Sequence, residues 1–437
     1  DLGSSAARCE SSSLSARTAK KSFSVLRSFL YFWSMEHYDV LVVGGGAAGF
    51  FAAINTAEQN PALSIAILER GNAVLSKVKI SGGGRCNVTH AEFVPNELAS
   101  YYPRGEKELK GPFHSFMTGD TMAWFEERGV PLKIEEDGRI FPTSNSSQSI
   151  IDCFLAQAQK FGVEVKKNHA VRTIKQGLHS WNLETTNGSF SCHKLLIATG
   201  SNPKIWRLME ALGHTIMPAV PSLFTFDIDD PRIKDIPGVV ANDVSVEVLG
   251  TSLFSEGPLL VTHSGLSAPS ILKLSAFGAI ELAQLNYTFK IKINFIQQDA
   301  ISCMQILMKN KFEMSKKYMR NTPLFELPKR LWVKLIESSE IDDTLRWADL
   351  NKVQLHALVH QLTSAVFQVS GKSTFKEEFV TAGGIDLKEI NFKTYESKRF
   401  KNLFFAGEII NVDGVTGGFN FQNAWTGAYL AAQELRK

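Results

Sequence analysis

Between Tyr38 and Glu69 the chain reads YDVLVVGGGAAGFFAAINTAEQNPALSIAILE. An apolar run enters a glycine cluster, a stretch of small and apolar residues follows, and a Pro-punctuated connection leads to a second apolar run. Gly44, Gly46 and Gly49 form G-x-G-x-x-G directly after the first run, and Glu69 stands 20 residues beyond the last glycine. Each position has a physical task. Gly44 makes a tight turn, Gly46 keeps the backbone bare so that a pyrophosphate can approach, and Gly49 lets helix and strand pack closely. The helix that opens at Ala47 and Ala48 turns unpaired N–H groups and the positive end of its dipole toward the diphosphate. Glu69, with Arg70 beside it, is placed to meet the adenosine ribose. The spacing predicts a βαβ dinucleotide-binding unit and hence an α/β fold.

Bulk properties narrow the rest. A chain of 437 residues with 44% hydrophobic and 21% charged residues fits a soluble globular protein of two or three domains. The net charge of +3 gives no broad footprint for nucleic acid or an anionic membrane, so neither is expected as a partner. Such binding would need a local patch. The five cysteines are scattered, odd in number and without a C-x-x-C pair. That fits a reducing compartment and argues against a disulfide framework or a zinc cluster, so no metal is expected and a cytoplasmic location is. The sequons at Asn87, Asn145, Asn187 and Asn286 then read as accidental. No apolar run reaches the ~20 residues needed to cross a bilayer. Residues 1–34 are rich in Ser and basic residues and poor in acid. They are taken as a disordered or non-native extension before Met35; an organelle transit peptide is the alternative.

Two distant segments favour FAD over NAD as the bound cofactor. HKLLIATGS is an apolar strand ending at Thr199 and Gly200, and KNLFFAGEIINVDGVTGGFNFQNAWTGAYLAAQEL is a strand, a polar glycine loop and a helix. A second nucleotide-contacting unit at the far end of the chain means that the cofactor domain is closed by both ends, a flavoprotein habit. Val171 is counted with the cofactor-binding residues. Gly407, Glu408, Asp413, Gly418, Phe419 and Asn420 complete that set. GFN would set a helix N-terminus against the flavin N1/C2 carbonyl edge, a contribution of about 0.3 to 2 kcal/mol. Glu408 and Asp413 read either as ribityl partners or as capping and loop residues.

SGGGRCNVT, GRIFPTSNSSQSI, VTHSGLSAPSIL, VTAGGIDLKEINFKTYESK and FFAGEIINVDGVTGGFNFQNAWTGAYLA together carry a resemblance. From Tyr38 onward the chain resembles the HI0933-like flavoproteins, a bacterial family of NAD(P)/FAD-dependent oxidoreductases with a bile-acid reductase branch. The resemblance implies a glutathione-reductase-type FAD-binding Rossmann domain split in sequence, distantly similar to the fumarate reductase flavoprotein, with a substrate-side insert. Ala268, Ser201 and Asn411 depart from the family pattern.

The expected division is residues 35–205 and 374–437 for the FAD-binding domain and 206–373 for the insert, β-rich to 298 and helical from 299 to 373. In KISGGGRCNVTH, Gly82 and Gly83, with Gly84, bring backbone close to the flavin, while Arg85 and Asn87 face its diphosphate or polar ring edge. Cys86, counted in the same loop, reads chiefly as a small buried side chain, with no second cysteine nearby for a redox disulfide. His356 and His360 lack a third metal ligand, and the basic run near Lys316 reads as a solvated helix face. His263, in THSGLS of the insert that by resemblance caps the flavin, is a candidate proton donor, weighed against a backbone-bonding turn residue. Arg139 is a candidate substrate anchor, weighed against a docking role between domains. The function expected is FAD-dependent reduction of an activated C=C bond in a small hydrophobic carbonyl compound, with NAD(P)H as a transient donor. The alternatives are a flavoprotein acting on RNA and a structural or sensing flavoprotein. Oligomeric state is left open.

Overall fold

The structure, a computed structural model, describes residues 35–373 and 380–437. The expected extension 1–34 and the first residues of the expected C-terminal part, 374–379, lie outside the described residues. The first part runs β1 (Met35–Val43), α1 (Ala47–Gln59), β2 (Ile65–Leu68), α2 (Ser76–Gly84), β3 (Thr89–His90), β4 (Leu132–Ile134), β5 (Arg139–Pro142), β6 (Glu164–Lys166), β7 (Val171–Gln176), β8 (Trp181–Thr185) and β9 (Gly188–Ile197), with further short helices between. The middle contains β10 (Ile216–Ser222), β11 (Thr225–Asp227), β12 (Val240–Val248), β13 (Phe254–Val261), β14 (Gly265–Ser267), α3 (Pro269–Phe277), β15 (Phe289–Asn294), α4 (Ala300–Glu313), α5 (Lys329–Glu337), α6 (Lys352–Thr363), β16 (Ala365–Val369) and β17 (Gly371–Ser373). The chain ends with β18 (Val380–Ile385), β19 (Ile390–Asn391), β20 (Glu396–Ser397), β21 (Leu403–Phe405) and α7 (Phe419–Leu435).

Val40 to Val43 are buried on both faces of β1, as a strand between two parallel neighbours under helices must be. β1 pairs in parallel with β2 on one side and β9 on the other, and β9 pairs in parallel with β21. The sheet order is β19-β20-β21-β9-β1-β2-β6, so the last strands of the chain lie beside the first. α7 packs along α1, whose Phe51 ring meets Trp425 at 5.3 Å and Trp124 at 4.6 Å.

The insert is a seven-stranded sheet in the order β16-β15-β12-β13-β14-β11-β17. Val244, Val246 and Val248 alternate inward along β12 in the period-two pattern legible in VSVEV. A core of buried residues from Phe224 to Val369 fills it, distinct from the first core, which draws on Tyr38 to Met209, Ala276 and Ile385 to Leu435. The antiparallel pair β10 and β18 joins the two bodies. Two expected boundaries fall elsewhere. Residue 205 lies inside the helix Pro203–Leu212, whose Trp206 and Met209 belong to the first core, the indole donating to the Ile409 carbonyl at 3.0 Å. Residues 365–373 return to the sheet rather than extending the helical part, because AVFQV buries Ala365, Phe367 and Val369 on alternate positions.

Candidate cofactor and active site

The turn after β1 is built as its sequence requires. Gly44 has φ +117°, and a Cβ there would lie 2.4 Å from the Ala198 carbonyl oxygen; at Gly49 a Cβ would lie 2.0 Å from the Gly44 oxygen. Gly46 differs, since a Cβ there would meet nothing within 4 Å. Its backbone caps α1 with no side-chain acceptor and no acid in the first turn, so no side chain caps the helix start at Ala47 and Ala48. The Glu69 carboxylate accepts the Gly45 N–H at 2.9 Å and the Gly71 N–H at 2.8 Å, which fixes its position at the end of β2. Arg70 is exposed. The Asn168 and His169 N–H groups bond the Gly71 and Glu69 carbonyls, bringing Val171, at the start of β7, to the same end.

A continuous lining leads away from this turn. Thr199 abuts Gly44, Gly407 lies against Ala48 and Ala424, and Gly418 closes on Asn87 and the Thr89 carbonyl. Along it the buried Thr199 hydroxyl, Asn87 Oδ1 and both amide atoms of Asn423 lack a hydrogen-bond partner. Orphaned buried polar atoms are rare, and three residues bordering one glycine-lined groove mark a place where a polar ligand completes them. α7 opens at Gly418, which has φ +98°, with no side-chain cap and no acid in its first turn. Phe419, Tyr101 and His90 form one aromatic cluster, Phe419 lying 4.4 Å from Tyr101 and 4.6 Å from His90. The residues therefore fit FAD: α1 for its diphosphate, Glu69 for the ribose, and Asn87, Asn423 and the start of α7 for the polar edge of its ring system.

Other expected contacts have different partners. Gly82 and Gly83 take positive φ and break α2, and Gly83 faces open space. Arg85 donates to Glu135 at 2.7 Å and lies 3.9 Å over the Phe141 ring, so it is held by its own protein. Asn420 bonds the Gly414 backbone through both amide atoms at 2.9 and 3.0 Å, closing the loop before α7. Glu408 is salt-bridged to Lys77 beside Gly200. Asp413 is fully buried and its carboxylate is occupied by Arg104, at 2.5 Å from Nε, and by the Ser222 hydroxyl at 2.8 Å. Arg104 also donates to the Ala276 carbonyl at 2.6 Å, which ties the first body to α3 of the insert. Among the described residues no group of three or more His, Cys, Asp or Glu could hold a metal ion, and no helix is long and apolar enough to cross a membrane.

Cys86 is completely buried, and burial pushes its thiol up to about 12. Cys153 and Cys303 are likewise raised, to about 11 and about 12, and Cys192 further still, all by burial. Ellman's reagent at pH 8 is therefore expected to leave these four thiols unlabelled in native protein and to label them after unfolding, read by peptide mass mapping. Labelling of Cys86 in the native state would show that its loop opens.

Of the two residues singled out for catalysis, Arg139 lies beside the groove lining, paired across the strands with His90, and His263 stands on the insert. β14 and α3 both run along β13 from Val261 toward Leu253: Ser267 opposes Leu260, the Ser270 hydroxyl donates to the Pro258 carbonyl at 2.9 Å, and Gly278 abuts Leu253. Ala276 meets Arg104 at one end, and exposed His263 stands at the other, about 20 Å away by strand rise, in a hollow with Asp230 and Lys234. The turn-rich THSGLS signal located a loop but not the end of the sheet on which it sits. Arg139 is held by Asp137 at 2.7 Å on the rim of β5 and is partly exposed. Asn423, Arg104 and Lys77 escaped the sequence reading. Asn423 had a signal, a polar residue among the small and apolar positions of the last helix; Arg104 and Lys77 had none.

Fold and site define an FAD-dependent oxidoreductase built on a Rossmann domain. The chain belongs to the HI0933-like family, whose Rossmann-domain model matches residues 38–434. It is 27% identical over 413 residues to the ribosomal RNA dihydrouridine synthase of Escherichia coli, covering 92% of this chain and 98% of that protein. It is 24% identical over 407 residues to the 3-dehydro-bile acid delta(4,6)-reductase of Clostridium scindens, covering 90% and 97%. The 3-ketosteroid-delta4-(5alpha)-dehydrogenase structure from Rhodococcus jostii aligns with 91% of this chain and 97% of its own at TM-score 0.47 and 12% identity, too remote to carry an argument.

Proposed function

We propose that this protein saturates a carbon–carbon double bond conjugated to a carbonyl, and that its substrate is a uracil base in RNA. The observation that carries the reaction class is the groove itself, a complete diphosphate cradle leading to unpartnered amides at Asn87 and Asn423 beside the start of α7. Bound FAD supplies two-electron hydride transfer. The chain's own residues do the rest. The first turn of α1 would hold the diphosphate, Glu69 the ribose, and Asn87 and Asn423 the ring edge. The Arg104–Asp413 bridge ties the loop before α7 to α3 of the insert. With NAD(P)H as the reductant, the net change would add a hydride at the carbon β to the carbonyl and a proton at the α carbon.

The choice of uracil rests on the relative named for ribosomal RNA dihydrouridine, which is uridine with that ring bond reduced. The small hydrophobic carbonyl compound expected from the sequence is the second reading, favoured by the relative named for a bile-acid delta(4,6) reduction. The test is anaerobic. Protein reduced with NADH or NADPH is mixed with unmodified RNA or with a cyclic enone, and flavin reoxidation is followed alongside product mass. RNA that gains two hydrogens per reacted uridine supports the proposal. Reoxidation by the enone but not by RNA replaces the substrate with the second reading, and no reoxidation by either leaves a structural or sensing flavin.

A further inference from the structure

The whole-chain charge of +3 conceals a strong asymmetry. Residues 304–334 carry eight Lys or Arg against two Glu, more positive charge than the entire chain nets. This stretch covers most of α4, the link to α5 and most of α5. Most of its large apolar side chains are buried or partly buried, but three are exposed, Met308 among them. Phe312 on the last turn of α4 is 86% exposed and Tyr318 is 41% exposed.

Local folding gathers the charges around those rings. Lys309 lies one turn before Phe312, and Lys316 and Lys317 follow it, both exposed. The Trp347 N–H bonds the Lys317 carbonyl at 3.1 Å and Tyr318 bridges to Arg346, so a second strand of chain brings the Arg346 guanidinium 5.5 Å over the Tyr318 ring. The returning segment that carries Arg346 also carries Glu337, Glu340, Asp342, Asp343 and Asp349. Glu313 faces Lys309 at 3.8 Å and Asp343 engages Arg320, while Lys316 and Lys317 hold no ion pair among the described residues.

We infer that Lys309, Phe312, Lys316, Lys317, Tyr318 and Arg346 form a docking surface for single-stranded RNA. Cations interleaved with exposed aromatic rings match alternating phosphates and bases: each ring can stack a base regardless of its identity, and each cation can displace condensed counterions. A bilayer would favour an uninterrupted apolar plane, whereas here Lys309, Lys316 and Lys317 separate the rings. The inference rests on the RNA reading of the site but concerns a different part of the molecule, and sequence reading alone had treated the Lys316 run as a solvated helix face.

The test uses oxidised, FAD-loaded protein that is not turning over, so that failure of the reductase proposal leaves it unaffected. Binding of a fluorescein-labelled twelve-residue oligouridylate is followed by anisotropy from low to moderate salt. K316E/K317E is expected to weaken binding at least about 10-fold and to lower the slope of log affinity against log salt by roughly 1.4, two single-strand phosphate contacts. Phe312→Ala is expected to weaken binding about 5-fold or more with the slope unchanged, because stacking releases no counterion. Flavin content and melting temperature should match the parent protein in both variants. The proposal is overturned if the parent protein does not bind the oligonucleotide or if K316E/K317E binds it equally well. It is likewise overturned if the patch variants abolish binding to phosphatidylcholine/phosphatidylglycerol vesicles while RNA binding is unchanged, or if Phe312→Ala alters only self-association in light scattering.

Discussion

Gly46→Val is expected to fold normally and to purify almost free of FAD. Gly46 has φ −97° and ψ −170°, a conformation open to any residue, and a Cβ there touches nothing within 4 Å. Nothing in the folded chain resists the substitution. A diphosphate approaching the first turn of α1 would pass through that space, so a branched side chain there would block the ligand alone. A loss of affinity of about 10²-fold or more corresponds to roughly 2.8 kcal/mol. Gly49→Val makes the contrast, since its Cβ would sit 2.0 Å from the Gly44 oxygen and force α1 off the sheet. Flavin absorbance per protein and thermal melting, measured on both, separate the two. A yellow Gly46→Val protein would mean that the diphosphate lies elsewhere.

Arg104→Ala is expected to cost about 3 to 5 kcal/mol of stability, because it strands a carboxylate with no access to water. Asp413 is fully buried, and without Arg104 it keeps only the Ser222 hydroxyl. Arg104→Met with Asp413→Leu removes both charges and should recover most of that loss, as a buried ion pair replaced by apolar groups often does. The readout is the chemical-denaturation midpoint of each variant. The single variant should also increase proteolysis at the link between the insert and the first body, because the bond to the Ala276 carbonyl goes with it. If Arg104→Ala unfolds at the parent midpoint, the bridge is a bystander.

These two sites show what a local pattern can and cannot carry. The turn from Gly44 to Gly49, the strand ending at Glu69, and the return of a strand and helix at the far end were legible because backbone geometry demands particular residues at fixed spacings. Charge partners were not. Arg104 and Asp413 are 309 residues apart, and Arg85 meets Glu135 only because β5 brings Phe141 beneath it. Asp413 carried two plausible readings, and only the packed structure reveals an arginine filling its oxygens. Asn420 similarly looked like a ligand contact at a helix start, and its amide instead closes its own loop. His263 shows a subtler limit. A turn within a sheet is readable, but which end of the sheet faces the groove depends on how the whole insert is mounted.

The sheet order in which β21 lies beside β9, with α7 laid along α1, has a consequence for how the protein is made. The cradle at Gly46 leaves the ribosome early, yet the helix that finishes the groove opens at Phe419, some 370 residues later. At synthesis rates of about 5 to 20 residues per second, the nascent chain spends roughly 20 to 70 seconds with half a binding site. Cofactor capture therefore waits for the synthesis of α7. A chain that stalls or is cut before α7 carries every residue of the fingerprint and still lacks the helix that finishes the groove.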